Sequence, residues 1–349
     1  MIKGGFMHNS DSLISISGLN CDDLVEALDL KQKYRAKQIF KWIASGAKSF
    51  EEMTNLPEQM RKELSEKAVL RSSKISQKLV DPDGTVKLQL TLFDGSCVET
   101  VLLLDGKGRK TACVSCQVGC AMGCAFCKTG TLGFSRNLTA SEIVEQFLYL
   151  EDECEKLDNI VFMGMGEPML NLPAIRKAIE VLTSPEGRNL SPRRITLSTC
   201  GVIKGIYDLA DNGPKIRLAV SLTTANPELR EKLMPIAKSN PLSELKKAIA
   251  YFIEKTGKRC TLEAALVGKT NTDEDSANKL INFARNMDVH INLIPWNPIK
   301  ELPLEEPSKN ECYRFYNKLE NAGLKVTIRT RKGEKIGGAC GQLGKVNTL

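Results

Sequence analysis

Apolar residues recur at three- and four-residue intervals from Leu19 to Leu70, in LVEALDL, AKQIFKWIASG and MRKELSEKAVL. That spacing lays an apolar stripe along a helix, and Gly46 and Pro57 mark breaks between helices. Between Lys74 and Leu104 the period falls to two. KLQLTLF and CVETVLLL flank Asp94-Gly95-Ser96, so the pattern predicts a β-hairpin closed by that turn.

From Thr111 onward strand-like runs alternate with amphipathic ones. The predicted strands are ACVSCQV, NIVFMGM (159–165), RITLST (194–199), IRLAVSL (216–222), CTLEAAL (260–266) and VHINLIP (289–295). Predicted helices lie between them, and the one after Thr139 opens on a Thr-x-x-Glu capping box. Strands alternating with helices imply a parallel sheet with right-handed crossovers. Six such units predict an α/β domain, a partial (β/α)6 version of the TIM barrel, whose chemistry gathers at the C-terminal ends of the strands.

The chain's 349 residues suit one large domain with a small appendage, and 42% hydrophobic residues supply a core. The net charge of +7 favours an anionic partner only mildly. There is no apolar leader and no apolar run near membrane-spanning length, so a soluble cytoplasmic protein is expected. The first ten residues, MIKGGFMHNS, are expected to be frayed. In a reducing compartment twelve cysteines read as metal-binding or catalytic rather than as bridges. His8 and His290 are the only histidines, so acid–base work falls to carboxylates, cysteines and lysines. Lys31, Lys33, Arg35, Lys37 and Lys41, interleaved with Tyr34, Phe40 and Trp42, read equally as a solvated helix face or an RNA-backbone surface.

Five of the twelve cysteines fall between Cys113 and Cys127, in CVSCQVGCAMGCAFC. Cys120, Cys124 and Cys127 have the spacing C-x3-C-x2-C. Iron–sulfur clusters are normally held by four cysteines, so three leave one iron open. An open position is where a ligand docks, as at catalytic zinc. A structural zinc knuckle is the other reading. It wants a fourth ligand nearby, which only Cys113 or Cys116 could supply.

C-x3-C-x2-C with Phe126 just before its last cysteine resembles the signature of radical S-adenosylmethionine (SAM) enzymes. The wider run CVSCQVGCAMGCAFCKTGTLGFSRNL resembles, more narrowly, the RlmN/Cfr family of radical SAM RNA methyltransferases. GMGEPMLN, SPRRITLSTCG, LMPI, NLIPWNP and ACGQL extend the resemblance in order over nearly the whole chain. KYRAKQIFKWI resembles the family's N-terminal accessory domain, which tips the basic face toward RNA. QVGC and NLIPWNP are closer to the RlmN branch than to the Cfr branch.

The resemblance implies a [4Fe–4S] cluster on Cys120, Cys124 and Cys127, with SAM chelating the open iron. It implies SAM contacts at Gly166, Glu167, Ser198, Ser221, Leu222, Thr223 and Asn297. Taken singly, GMGEP is also an ordinary strand-end turn, and the serines and Asn297 ordinary polar strand ends. Glycines at 164 and 166 let the backbone approach a ligand, and Glu167 can pair with an ammonium. The chain departs from the family pattern in three places. Thr223 stands where histidine is expected and Cys116 where serine is expected, and Glu99 lies one residue further from Cys113.

C2 of adenine is electrophilic and its C–H bond unactivated, so a cofactor must carry the hard step. The resemblance implies that one SAM methylates Cys340. A second is cleaved to a 5′-deoxyadenosyl radical, which takes hydrogen from that methyl group. The resulting carbon adds to adenine, Glu99 removes the C2 proton, and Cys113 attacks the Cys340 sulfur, leaving a disulfide to be reduced. Free cysteines are most often small buried hydrophobes, which is the expectation for Cys21, Cys97, Cys154, Cys200, Cys260 and Cys312. Lys128, Arg136, Arg193 and Arg194 are candidate RNA contacts near the barrel mouth, and the target adenosine is expected to be extruded from its stack.

The expected organisation is a helical RNA-contacting domain (1–78), a β-hairpin extension with Glu99 (79–105), the radical SAM barrel (106–335) and a tail with the methyl-accepting cysteine (336–349). The implied substrates are an adenosine of 23S rRNA at the peptidyl-transferase centre and the tRNA adenosine beside the anticodon. The implied partner is an electron donor such as flavodoxin or ferredoxin, and a monomer is expected. Three alternatives stay open. One is C8 methylation of the same rRNA adenosine, as in the Cfr branch. Another is a non-catalytic Fe–S or zinc RNA-binding module, which has no use for Cys340 or Glu99. The third is a radical SAM enzyme for a small molecule, which leaves the basic N-terminus unexplained.

Overall fold

The computed structural model describes residues 13–344. The frayed start expected for residues 1–10 lies outside them, as do the last five residues of the tail. Among the described residues no helix is long and apolar enough to cross a membrane.

A helical module comes first. Strand β1 (Ile14–Ser15) is followed by α1 (Cys21–Ala27), α2 (Lys33–Ala44), α3 (Glu58–Lys67) and β2 (Ala68–Val69), and β1 pairs with β2 in parallel. Asn20 and Asp23 close a capping box at the start of α1. The buried stripe of α2 is Ala36, Ile39, Phe40 and Ile43. Of the aromatics among the lysines, Phe40 is therefore core. Trp42 donates its indole N–H to Asn55 Oδ1 at 2.8 Å, and Tyr34 is exposed.

The rest of the chain builds one ten-stranded sheet and its helices. Its elements are β3 (Lys74–Val80), β4 (Val86–Thr91), β5 (Cys97–Leu104), β6 (Lys110–Cys113), β7 (Gln117–Gly119), β8 (Phe134–Asn137), α4 (Ala140–Asp152), β9 (Asn159–Phe162), α5 (Leu172–Thr183), β10 (Ile195–Thr199), α6 (Ile203–Asn212), β11 (Arg217–Ser221), α7 (Pro227–Leu233), α8 (Leu242–Thr256), β12 (Cys260–Leu266), α9 (Glu274–Ala284), β13 (Val289–Pro295), α10 (Lys309–Asn321) and β14 (Val326–Ile328). The sheet order is β14-β13-β12-β11-β10-β9-β6-β5-β4-β3, with β7 and β8 paired apart. Strands β6 and β9 to β14 run parallel, with helices in every crossover, and β3 to β6 run antiparallel.

Six βα units are thus present, and the structure adds features that the hydrophobic pattern does not announce. The β4–β5 hairpin is not a free appendage. β5 also pairs with β6, so the hairpin continues the barrel sheet. β3 is mostly exposed, crosses position 78 and caps the edge. β14 is too short to show a period. ACVSCQV splits into β6 and β7, because the chain leaves the sheet at Val114, and the amides of Cys116 and Gln117 both turn to the Met165 carbonyl.

Glu145 on α4 joins the helical module to the barrel. It is fully buried. Its carboxylate accepts from the hydroxyls of Ser15, Ser17, Ser72 and Ser73 and from the backbone amides of Ser72 and Ser73. A buried acceptor with this many donors strands them all when removed. Glu145→Ala is expected to lower unfolding stability by about 2–4 kcal/mol, measured by urea denaturation, and to expose the link at residues 70–73 to limited proteolysis.

Candidate active site

The parallel strands end along one rim, and the loops leaving them enclose a cavity of about 170 Å³. Cys120, Cys124 and Cys127 line one side. Their loop is short and tied down. The Cys120 amide donates to the Gly133 carbonyl at 2.6 Å, Ala125 N to Leu233 O at 2.9 Å, and Trp296 Nε1 to Phe126 O at 2.9 Å. Gly119, at φ +74°, is required by close approach: a Cβ there would stand 2.0 Å from the Gly133 oxygen.

Burial raises all three thiols. Cys120 is pushed up to about 11, and Cys124 rises further because Cys127 and Cys120 face it. Desolvated thiols that repel one another as thiolates ionise together only around positive charge, which cluster iron supplies. Among the described residues no set of three His, Cys, Asp or Glu side chains is placed to hold a single metal ion. The thiols rim a cavity instead.

Two buried polar atoms in the cavity wall have no protein partner: Thr223 Oγ1 and Asn297 Oδ1. Buried atoms of this kind call for a ligand. Thr223 holds φ +60°, rare for a β-branched residue, and is kept there by its amide on the Glu263 carbonyl and by Asn271 Nδ2 on its own carbonyl. Ser198 and Ser221 also line the cavity, and Ser198 Oγ donates to Glu263 Oε2 at 2.9 Å. Leu222 is fully buried among the core side chains and is not part of the lining.

Glu167 lines the cavity with both oxygens engaged, Oε1 by the Met169 amide and Oε2 by the Cys200 amide, while burial pushes its carboxyl up. The neighbouring glycines answer first to packing. A Cβ on Gly164 would meet Ser115 Oγ at 2.7 Å, and one on Gly166 would meet the Gln117 side chain at 2.6 Å.

On the other flank, Cys113 ends β6 directly opposite Val101 of β5, which puts Glu99 on the same face. Burial and the nearby Cys340 raise the Cys113 thiol to about 12, and the Arg329 guanidinium opposes the rise. Cys113, Met163, Arg329 and Cys340 surround a small cavity of about 30 Å³. Cys340 also lines the three-thiol cavity. The tail around it is pinned by Asn297 Nδ2 on Cys340 O (2.9 Å), Lys128 N on Gly341 O (2.7 Å), Thr129 Oγ1 on Leu343 O (2.7 Å) and Gly344 N on Glu99 Oε2 (2.6 Å). All twelve cysteines are free thiols, so the structure contains no disulfide.

The family model of the radical SAM superfamily matches residues 114–280, and that of the ribosomal RNA large subunit methyltransferase N-terminal domain matches residues 16–70. A relative from Treponema denticola is 58% identical over 330 residues, 95% of each chain. One from Treponema pallidum (strain Nichols) is 52% identical over 331 residues, 95% of this chain and 97% of its own. Both carry the name "Probable dual-specificity RNA methyltransferase RlmN". This chain belongs to the RlmN family of radical SAM enzymes. The crystal structure of a radical SAM methyltransferase from Sphaerobacter thermophilus superposes with a TM-score of 0.92 at 38% identity, covering 95% of this chain and 99% of that one. As a radical SAM enzyme the chain uses a [4Fe–4S] cluster and SAM.

Against that family background several side chains stand out that the sequence reading passed over. Glu263 on β12 is buried in the cavity wall beside Ser198. Its one signal was a carboxylate inside the apolar run CTLEAAL. Arg230 is fully buried and bridges the carbonyls of Leu222 and Cys200, tying the ends of β11 and β10 together, while burial lowers it to about 10. Cys200, expected as packing, lines the cavity. The expected RNA contacts also change. Arg193 and Arg194 precede β10 and so lie at the rim opposite the cavity. Arg136 is bound by Asp94 and Glu142 and stacks on Phe93, and Lys128 is paired with Glu301. Cys116 is buried behind the loop.

Thr223→Val removes the unpartnered hydroxyl with little change of shape. It is expected to leave the thermal stability of the cluster-loaded protein unchanged and to weaken SAM binding about tenfold, or about 1.4 kcal/mol, measured by titration calorimetry.

Proposed function

We propose that this chain methylates C2 of an adenosine in 23S rRNA at the peptidyl-transferase centre, and of the adenosine beside the anticodon in some tRNAs, through a methylated-cysteine intermediate. The observation that carries this reading is the placement of Cys340 on two cavities at once, the one with three thiols and the one with Cys113. The dual specificity named for the relatives agrees with it.

In this reading Cys120, Cys124 and Cys127 hold the cluster, and Gly166, Glu167, Ser198, Ser221, Thr223 and Asn297 surround SAM. When bound, the cluster and SAM supply a methyl group and the oxidant that activates it. Cys340 carries that carbon to the base. Glu99 takes the C2 proton. Cys113, as thiolate, then forms a bond to the Cys340 sulfur as the S–C bond breaks. The electron pair leaves with the carbon, which takes a proton to become the methyl group, and a two-electron thiol reductant restores both cysteines. Burial and the nearby Cys340 raise the Cys113 thiol, while Arg329, which lines the same small cavity, favours the thiolate that this step needs. Gly344 occupies Glu99 Oε2, so the tail shifts when RNA enters. An electron donor such as flavodoxin or ferredoxin, a monomeric state and a cytoplasmic setting complete the proposal.

Anaerobic, cluster-loaded protein incubated with rRNA fragments and tRNA is expected to yield 2-methyladenosine on nucleoside analysis. 8-Methyladenosine would assign it to Cfr-type chemistry, and SAM cleavage with neither nucleoside overturns RNA methylation. Mass spectrometry is expected to find Cys340 methylated. Cys113→Ala is expected to retain RNA covalently, seen as a gel shift that survives denaturation; normal turnover by that variant removes Cys113 from the mechanism.

A further inference from the structure

We propose that Lys87 is a positioning residue for this chemistry: its ammonium holds Glu99 through Oε1, so that Oε2 is the oxygen presented to the C2 proton. The proposal rests on the role given to Glu99 above.

The register of β4 sets the geometry. Lys87 lies opposite Val101, and Glu99 is two residues away on the same face, which makes Lys87 and Glu99 diagonal neighbours. Val101 in turn lies opposite Cys113, so lysine, carboxylate and thiol share one face of three adjacent strands. Lys87 Nζ stands 2.8 Å from Glu99 Oε1, and each side chain is 2% exposed. The same Nζ donates to the Gly337 carbonyl at 3.2 Å.

Stability does not explain this arrangement. On its own face of β4 the flanking side chains are Thr85 and Gln89, both buried, so the pair is shut away from water, and exchanging a buried ion pair for apolar residues of similar volume is often neutral or stabilising. Lysine also gives up much side-chain freedom when fixed. A charged pair kept in a dry strand core points to a use for the charge.

The two oxygens of Glu99 are held by different parts of the molecule. Oε1 is held from β4, a strand paired on both sides. Oε2 is held by the Gly344 amide, in the tail that carries Cys340. When the tail moves, the Gly344 amide leaves Oε2 while Lys87 stays beside Oε1. A general base must offer a carboxylate oxygen within reach of the proton it takes, and the ammonium fixes where that carboxylate sits. The step itself is a proton transfer within the covalent RNA adduct. Once the adduct has given its unpaired electron to a one-electron acceptor, such as an iron–sulfur centre, the C2–H bond breaks, its proton passes to Oε2, and its electron pair restores the purine ring. The ammonium's bond to Gly337, three residues before Cys340, also ties the base to the near side of the tail.

The test compares wild type, Lys87→Met and Lys87→Arg, each cluster-loaded, on RNA carrying hydrogen or deuterium at C2. Lys87→Met is expected to cleave SAM and form the adduct at wild-type rates, to release product at least tenfold more slowly, and to show a larger C2 isotope effect than wild type. Lys87→Arg is expected to recover most of the release rate. A Met variant with wild-type release and isotope effect overturns the proposal. So does one whose SAM cleavage falls in step with product, since that is a structural defect. If Lys87→Met does not fold, Lys87→Arg decides: slow release despite a retained cation overturns the proposal. Wild type that makes no methyladenosine overturns the underlying reading instead.

Discussion

Three half-buried thiols side by side at one rim of the sheet cannot all ionise unless positive charge sits among them. Much of the surrounding architecture follows from burying the polar groups behind that rim. Water would satisfy the strand-end polar groups cheaply, but with water excluded each needs a named partner. Backbone amides therefore cap Glu167, Arg230 holds two carbonyls across β10 and β11, and Glu263 receives Ser198. Among the described residues that line the cavity, Thr223 and Asn297 each keep a buried oxygen with no hydrogen-bond partner. Two unpartnered buried oxygens in the wall of one cavity fit a site organised around an occupant.

Much of this was legible in the sequence, for identifiable reasons. Strands buried on both faces read as apolar runs, so CTLEAAL and VHINLIP match β12 and β13 to the residue. The Thr139 capping box started α4 as its local chemistry requires. What escaped was structure without a periodic signal. β14 is three residues long, and β3 is exposed along most of its length. In the site, cysteine spacing was readable because ligands on one loop are local. Glu263, Arg230, Arg329 and Lys87 were not, because each acts through partners distant in sequence. Arg136 shows the same limit. A lone arginine gives no hint that Asp94 and Glu142 have already claimed it.

The departures from the family pattern find physical settings. At position 223 the backbone is left-handed and fixed by Glu263 and Asn271, so the local conformation is set by neighbours and not by the side chain. Cys116 lies behind the cluster loop, where burial raises its thiol well above the usual range and Glu167 adds to the effect. A buried, protonated thiol is inert toward exchange. The turn of residues 105–109 closes the β5–β6 hairpin away from the cavity, and the pairing of Val101 with Cys113 carries the relation of Glu99 to Cys113 regardless of the turn's length.

The tail is the element that unites the two halves of the site. It crosses from Asp83 and Asp81, which accept the Gly333 and Lys335 amides, past Lys87 and Asn297 to Thr129 and Glu99. Its anchors come from both ends of the chain's topology: the antiparallel strands on one side, the cluster loop and β13 on the other. Most of its bonds are to backbone atoms, so they constrain its path and not its side chains. Cys340 is thereby held between two cavities by contacts that do not involve its sulfur, which leaves the thiol free to react. The β4–β5 extension earns its place in the fold on this account, because it supplies both the carboxylate and the far anchor of the segment that brings the reacting sulfur to it.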